Sequence, residues 1–339
     1  MTKQDWHTLS DLLSQPKKAV IIGHKNPDGD AVGASLGLFW FLKSQGHDPI
    51  VLMPNDFPDF LKWLPGCSDI VLYDREASRA ERLLSQCEVI FTLDFNALNR
   101  TGDLGALLEL QSQPFVMIDH HQQPDDYALV TYSDTSMSST CEMVYHFIDQ
   151  LGHKALITPE IATNLYTGIM TDTGSFKFPA TTPRTHRAVA DLIECGAIHH
   201  EIHNQIYDTQ SPDRLKLLGQ ALSNLVLHPE FHLAYITLTQ DELEACNFKK
   251  GDTEGFVNYA LSIIGIKFAV IFIENKNEGI IKMSLRSKGR FSVNDFARHY
   301  FQGGGHTNAA GGKFDGTMED ATAYFMQQVP QHKNELDAS

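Results

Sequence analysis

Acidic and histidine side chains in this sequence collect where apolar runs end. The first group lies in His24-Lys25-Asn26-Pro27-Asp28-Gly29-Asp30, at the close of the β-branched run 19–24. Pro27 and Gly29 force a turn, so His24, Asp28 and Asp30 share one strand-to-helix loop. Alone, this segment also fits an ordinary turn and helix N-cap, because aspartate suits both. The other run ends add weight. Asp94 closes Val89-Ile90-Phe91-Thr92-Leu93, and Asp119-His120-His121 closes Phe115-Val116-Met117-Ile118. Asp172 follows the apolar stretch 161–170 and opens the Thr-Gly-Ser turn at 173–175.

Burying one unpaired carboxylate is costly, and burying several together is worse. Basic residues near these run ends are too few to balance them, so divalent cations are the simplest counter-charge. Four aspartates and two histidines are too many for one structural zinc site. They suit a pair of hard or borderline ions with one carboxylate bridging. Mixed nitrogen and oxygen donors favour Mn²⁺, with the oxygen-preferring Mg²⁺ as the alternative. Two ions held roughly 3.5–4 Å apart activate water and stabilise both oxygens of an in-line displacement at phosphorus.

The elements that must position these groups read as α/β. Strands are expected at 19–24, 49–53, 69–73, 89–94 and 115–119, with helices at 31–45, 76–86 and 103–111 between them. Nearly continuous apolar strands alternating with helices imply a doubly wound parallel sheet, whose ligands gather beyond the strands' carboxyl ends. Residues 138–196 read as helical, and Ser139-Thr140-Cys141-Glu142 has capping-box form. This first domain is expected to span 1–205, with a helical link over about 206–228. A smaller α/β C-terminal domain is expected at 229–330, with strands at 232–239, 268–274 and 280–286 and helices at 253–264, 293–300 and 318–329. The polar tail after Pro330 is expected to fray.

The chain has 339 residues and a formal charge of −15, from 27 Lys+Arg against 42 Asp+Glu. Such a balance disfavours coating of long nucleic acid but leaves room for a short anionic substrate in a local basic pocket. One segment suits that role. Residues 267–313 hold eight Lys/Arg against three acids, or +5. Within it lie Arg286-Ser287-Lys288 and the run Gly303-Gly304-Gly305-His306, and glycine-rich backbone and arginine both suit phosphate. Five scattered cysteines without CxxC spacing argue against a disulfide framework or a thiolate zinc site. With a polar start and no long apolar run, the expectation is a soluble, cytoplasmic protein without membrane contact.

His24-x-x-x-Asp28-x-Asp30, Asp94, Asp119-His120-His121 and Asp172 resemble, in order and spacing, the four motifs of the DHH phosphoesterase family. The segment 303–311 resembles the glycine-rich signature of the DHH-associated C-terminal domain, so the likeness spans roughly residues 15–330. The resemblance implies one metal on His24 and Asp28, another on Asp30, His120 and Asp172, and Asp94 bridging them. His121 would then lie beside the scissile phosphate as an electrostatic stabiliser or proton donor, with Asp119 orienting the histidines. Arg286, Ser287, Gly305 and His306 would bind the nucleotide end of the substrate. Arg100 is either a further phosphate contact or a surface arginine near a helix start.

Among family members the architecture resembles the compact Mn²⁺-dependent group that hydrolyses short oligoribonucleotides (nanoRNA) to mononucleotides and dephosphorylates pAp. Cyclic-dinucleotide or linear pApA phosphodiesterases are the alternative. The resemblance also allows a homodimer. A non-catalytic nucleotide-binding module would be marked by lost ligands, and all six are present.

Overall fold

The computed structural model describes residues 1–338. The chain divides into two compact units, Met1–Thr209 and Gln210–Ser339. In the first, strands β1 (Lys18–Ile22), β2 (Asp48–Met53), β3 (Val71–Leu72), β4 (Val89–Leu93), β5 (Phe115–Asp119) and β6 (Val130–Ser133) form one parallel sheet. Its order is β3-β2-β1-β4-β5-β6. The helices are α1 (Lys3–Leu12), α2 (Gly29–Ser44), α3 (Tyr73–Gln86), α4 (Asp103–Leu108), α5 (Thr140–Gln150), α6 (Pro159–Asp172), α7 (Pro183–Glu194) and α8 (His199–Tyr207). Side chains alternate between two apolar layers, as the two-residue strand period requires. Ala19 and Ile21 pack with α2, α5 and α6, whereas Val20 and Ile22 pack with α3 and α4.

The strand order reverses direction between β1 and β4, and in such sheets ligands bind at that switch. Glycines bring the neighbouring helix ends to the same place. A Cβ at Gly33 of α2 would stand 2.5 Å from the Asn164 carbonyl of α6, and one at Gly168 of α6 would meet Cys141 Sγ of α5 at 2.1 Å. Helices α2 and α6 therefore pack at backbone contact, with the Cys141 side chain of α5 seated on Gly168. Asp30, Thr140 and Asp172 sit at their nearby ends.

Glu142, buried in α5, locks the start of that helix. Its Oε2 accepts from Ser138 N at 3.0 Å, Ser138 Oγ at 2.5 Å and Thr185 Oγ1 at 3.0 Å, while Arg184 Nε lies 3.4 Å from its Oε1. The capping box read at Ser139 is thus half formed. Ser139 Oγ accepts from Glu142 N, but the Glu142 carboxylate turns to Ser138.

The second unit holds β7 (Val226–His228), β8 (Leu233–Leu238), β9 (Phe268–Asn275), β10 (Ile280–Ser287), β11 (Gly304–His306) and β12 (Ala309–Asp315), in the order β11-β12-β10-β9-β8-β7. Its helices are α9 (Pro212–Ser223), α10 (Gln240–Ala245), α11 (Phe256–Ser262), α12 (Val293–Tyr300), α13 (Met318–Gln328) and α14 (Lys333–Ala338).

Several expectations change. The stretch expected as a link contains α9, whose Leu217 and Ala221 are buried with Ile236 and Ile271 in the second unit's own core. The tail expected to fray forms α14 instead. Leu336 is fully buried there, and Lys267 Nζ donates to the Leu336 and Asp337 carbonyls at 2.8 and 3.1 Å. The strand expected at 69–73 shrinks to Val71–Leu72 because Cys67–Asp69 winds into a 3₁₀ turn and Tyr73 opens α3. No helix among the described residues is long and apolar enough to cross a membrane.

Substituting Gly33→Ala should destabilise the first unit by about 1–3 kcal/mol through overpacking. Gly219→Ala, exposed in α9 with nothing within 4 Å of its Cβ position, should stabilise the second by about 0.5–1 kcal/mol. Urea unfolding of each variant reads both signs.

Burial alone would raise the Glu142 carboxyl, but the neighbouring His146 ring, 3.7 Å away, and hydrogen bonds from Ser138 and Thr185 outweigh it and hold its pKa at about 2. A depressed carboxyl stabilises the fold fully above its ordinary value of 4.5 and loses that contribution as pH falls towards about 2. The urea-midpoint gap between wild type and Glu142→Gln should therefore be widest near neutrality and narrow through that window.

Candidate metal centre

Past the end of β1, His24 Nδ1 meets the Lys25 carbonyl at 3.0 Å. This puts the ring proton on Nδ1 and the lone pair on Nε2. Nε2 stands 3.4 Å from Asp94 Oδ2 and 3.9 Å from Asp28 Oδ1. Asp28 is also the N-cap of α2, with Oδ1 accepting from Asp30 N and Ala31 N at 3.0 and 3.1 Å. The cap and the place beside His24 belong to one carboxylate.

Asp94 follows β4 with φ 64°, a left-handed backbone that aspartate tolerates better than most residues. After β5, His120 Nδ1 faces the Met137 carbonyl at 3.4 Å. Its Nε2 lies 3.5 Å from Asp94 Oδ1, 3.6 Å from Asp172 Oδ2 and 3.8 Å from Asp30 Oδ2. Asp119 grips His121 twice, accepting from its backbone N–H at 3.0 Å and from ring Nδ1 at 2.8 Å. The donors thus gather as His24, Asp28 and Asp94, as Asp30, His120 and Asp172, and as Asp94, Asp119 and His121.

This donor set fits divalent cations. Imidazole lone pairs facing carboxylate oxygens at 3.4–3.9 Å repel unless positive charge lies between them. Such separations match neighbouring ligands on one ion with bonds of about 2.1 Å. The electrostatics agree. Burial, then Asp30, Asp28, Asp119 and Asp172, drive the Asp94 carboxyl well above its usual range. Burial likewise raises Asp30. Burial would lower the His120 ring, but Asp172, Asp30 and Asp119 outweigh it and raise it. His121 is lowered, by burial first and then by His120 and Arg100, against the pull of Asp119.

Arg100 lies in the 3₁₀ turn Leu98–Thr101 after Asp94, and its carbonyl accepts from Lys25 N at 2.9 Å. The loops after β1 and β4 are thereby tied together. Two groups in this centre carry no mark in the sequence reading beyond a helix start. Thr140 N and Cys141 N donate to the two Asp30 oxygens at 2.6 and 2.9 Å, and Thr140 Oγ1 donates to Asp94 Oδ1 at 2.9 Å. Three consecutive small hydroxyl residues, 138–140, before an apolar helix are the available signal.

In the second unit, the glycine-rich run expected to cradle an anion is a β-hairpin. A Cβ at Gly303 would fall 1.9 Å from the Gly311 carbonyl and one at Gly305 2.4 Å from that of Ala309, so close strand approach demands these glycines. The Gly305 N–H donates to Asn294 Oδ1 at 2.8 Å. Arg286 opposes Ala309, which opposes His306. Directly opposed residues share a sheet face, so Arg286 and His306 stand in one row. Ser287 falls on the buried face, its hydroxyl donating to the Phe291 carbonyl at 2.6 Å and accepting from Asn308 Nδ2 at 2.9 Å.

Residues 18–169 match the DHH family, N-terminal domain, and residues 235–331 match the DHHA1 domain. The bifunctional oligoribonuclease and PAP phosphatase NrnA of Thermus thermophilus is 32% identical over 90% of this chain and 88% of its own length. The protein of the same name from Bacillus subtilis is 34% identical over 85% and 86%. An exopolyphosphatase-related protein from Bacteroides fragilis superposes with a TM-score of 0.94 at 40% identity, covering 99% of this chain and all of its own. With its aspartates and histidines gathered at the switch point of a parallel sheet, the chain belongs to the DHH phosphoesterase family of hydrolases, a DHH domain followed by a DHHA1 domain.

Proposed function

We propose that this hydrolase cleaves short oligoribonucleotides to mononucleotides and removes a phosphate from pAp at the same centre. The observation that carries the reading is Asp94, whose two oxygens face different donors, Oδ2 towards His24 and Oδ1 towards His120. The relatives named for both activities support it. In this reading His24 and Asp28 would hold one ion and Asp30, His120 and Asp172 the other, with Asp94 offering an oxygen to each group. Mn²⁺ is the proposed metal because the donors mix nitrogen with oxygen. When bound, such a pair supplies an acidified water for in-line attack and neutralises charge on the phosphate.

The protein's own groups do the rest. Asp119 fixes the His121 ring through Nδ1, so Nε2 is the nitrogen presented to the reacting phosphate. Arg100, on the turn after Asp94, balances charge near His121. Arg286 and His306 take the nucleotide portion, while Ser287 and Gly305 support their hairpin through the bonds to Phe291, Asn308 and Asn294. Terminal phosphate removal and diester cleavage need the same attacking water, so one centre serves both. The same reading makes the protein cytoplasmic and allows a homodimer.

Asp94→Ala should lower kcat by at least about 100-fold with the fold intact. Arg286→Ala should chiefly raise KM, and steady-state kinetics on a dinucleotide separates the two effects. An Arg286→Ala enzyme with both constants unchanged would remove Arg286 from the substrate site.

Substrate length is the second test. A chain of −15 repels long polyanions, while the +5 segment 267–313 can hold a few phosphates. With Mn²⁺, pAp and RNA of about two to five nucleotides should be turned over faster than a long single strand, a cyclic dinucleotide or pyrophosphate. Preference for the long strand would overturn the reading. Preference for the cyclic dinucleotide would replace it with a cyclic-dinucleotide phosphodiesterase.

A further inference from the structure

Asp94 can bridge two cations only if its carboxylate keeps one oxygen on each side. Rotation about the Cβ–Cγ bond would let both oxygens chelate a single ion. Among the contacts of Asp94, His24 and His120 are themselves donors to metal and cannot resist that rotation once ions are bound. Thr140 is different. Its hydroxyl donates to Asp94 Oδ1 at 2.9 Å, on the side of His120, while Oδ2 faces His24 at 3.4 Å. A hydroxyl offers its single proton to one oxygen only, so it distinguishes Oδ1 from Oδ2.

The hydroxyl is itself fixed. Thr140 is fully buried, β-branched and the first residue of α5, so its rotamers are few. Its N–H and that of Cys141 are spent on Asp30 Oδ2 and Oδ1 at 2.6 and 2.9 Å. The opening turn of α5 therefore grips a carboxylate from the second donor group and the shared carboxylate at once. Glu142, through Ser138 and Thr185, anchors the same turn. Thr140, Cys141 and Glu142 themselves stand outside the donor groups.

We propose that Thr140 is a positioning residue that holds the Asp94 carboxylate in its bridging orientation, and so sets whether the centre holds a coupled pair of ions. This rests on the two-cation reading above. Removing the hydroxyl frees Asp94 to close on one ion, leaving the other under-coordinated.

The test is Mn²⁺ binding to wild type, Thr140→Val, Thr140→Ala and Thr140→Ser, followed by calorimetry and by electron paramagnetic resonance. Wild type and Thr140→Ser should bind two ions with the signal of an exchange-coupled pair. Thr140→Val and Thr140→Ala should lose about 10- to 100-fold in affinity for the second ion and show isolated Mn²⁺. Their metal-free forms should stay folded, with a melting temperature only a few degrees below wild type for the lost buried hydrogen bond, and kcat should fall with KM little changed. A coupled pair of undiminished affinity in Thr140→Val and Thr140→Ala would overturn the inference, as would loss of coupling in Thr140→Ser. Absence of a pair in wild type would instead overturn the two-cation reading itself.

Discussion

Mutual repulsion of buried carboxylates is the constraint on which the first unit is organised. Asp30, Asp94 and Asp119 are almost wholly out of water, with Asp28 and Asp172 close enough to raise the Asp94 carboxyl further. An assembly of that kind is unfavourable unless each oxygen finds a proton, an N–H, a hydroxyl or a cation. The bonds around it follow this need. Asp28 takes the first N–H groups of α2, Asp30 those of α5, and Asp119 the backbone and ring of His121. Asp94, in the middle, takes the Thr140 hydroxyl and otherwise faces histidine nitrogens. It is the member with least internal compensation, and the one with most to gain from metal.

The fold supplies this concentration by two independent means. A parallel sheet delivers every strand's carboxyl end to one edge, and the switch between β1 and β4 opens a crevice there. Helix dipoles add to it, since the N-termini of α2 and α5 present partial positive charge to Asp28 and Asp30. Bringing both helices to the crevice requires near contact with α6, which Gly33 and Gly168 permit. Bulk at Gly168 would press on Asp30 Oδ1, 2.9 Å from its Cβ position, as well as on Cys141. Helix packing and ligand geometry are thus set by the same small residues.

The parts of this arrangement legible in the sequence are those encoded locally. Strands β1, β4 and β5 are nearly continuous apolar runs, and a polar residue just past or at the end of such a run marks the sheet's carboxyl edge. What escaped depends on partners far along the chain. The strand β6 has only four residues, and its buried Val130 and Tyr132 alternate with partly exposed Thr131 and Ser133. A polar tail became α14 because one leucine, Leu336, found a core. The glycines at 303–305 suit an anion cradle and a tight hairpin equally, and only pairing with 309–311 decides between them. Thr140 reads as a helix start, which it is. That its hydroxyl reaches a carboxylate 46 positions earlier is a tertiary fact with no local signature.

Charge also explains why recognition and chemistry cannot come from the same groups. A centre made of aspartates repels the phosphate that it must attack, and bound cations answer that repulsion only at the reacting phosphorus. A second phosphate or a nucleotide needs basic groups that are not consumed by the aspartates. In the first unit Arg100 is the arginine whose charge reaches His121, and its turn is anchored to the loop carrying His24. The first unit is acidic, whereas the segment 267–313 carries +5 within a chain of −15. There the hairpin aligns Arg286 with His306 on one face and turns Ser287 inward to hold the loop. In the proposed reading a row so short offers purchase on one or two phosphates and no track for a long strand. On the same reading, a chain so rich in carboxylates and so sparing in basic groups favours short substrates over long polyanions.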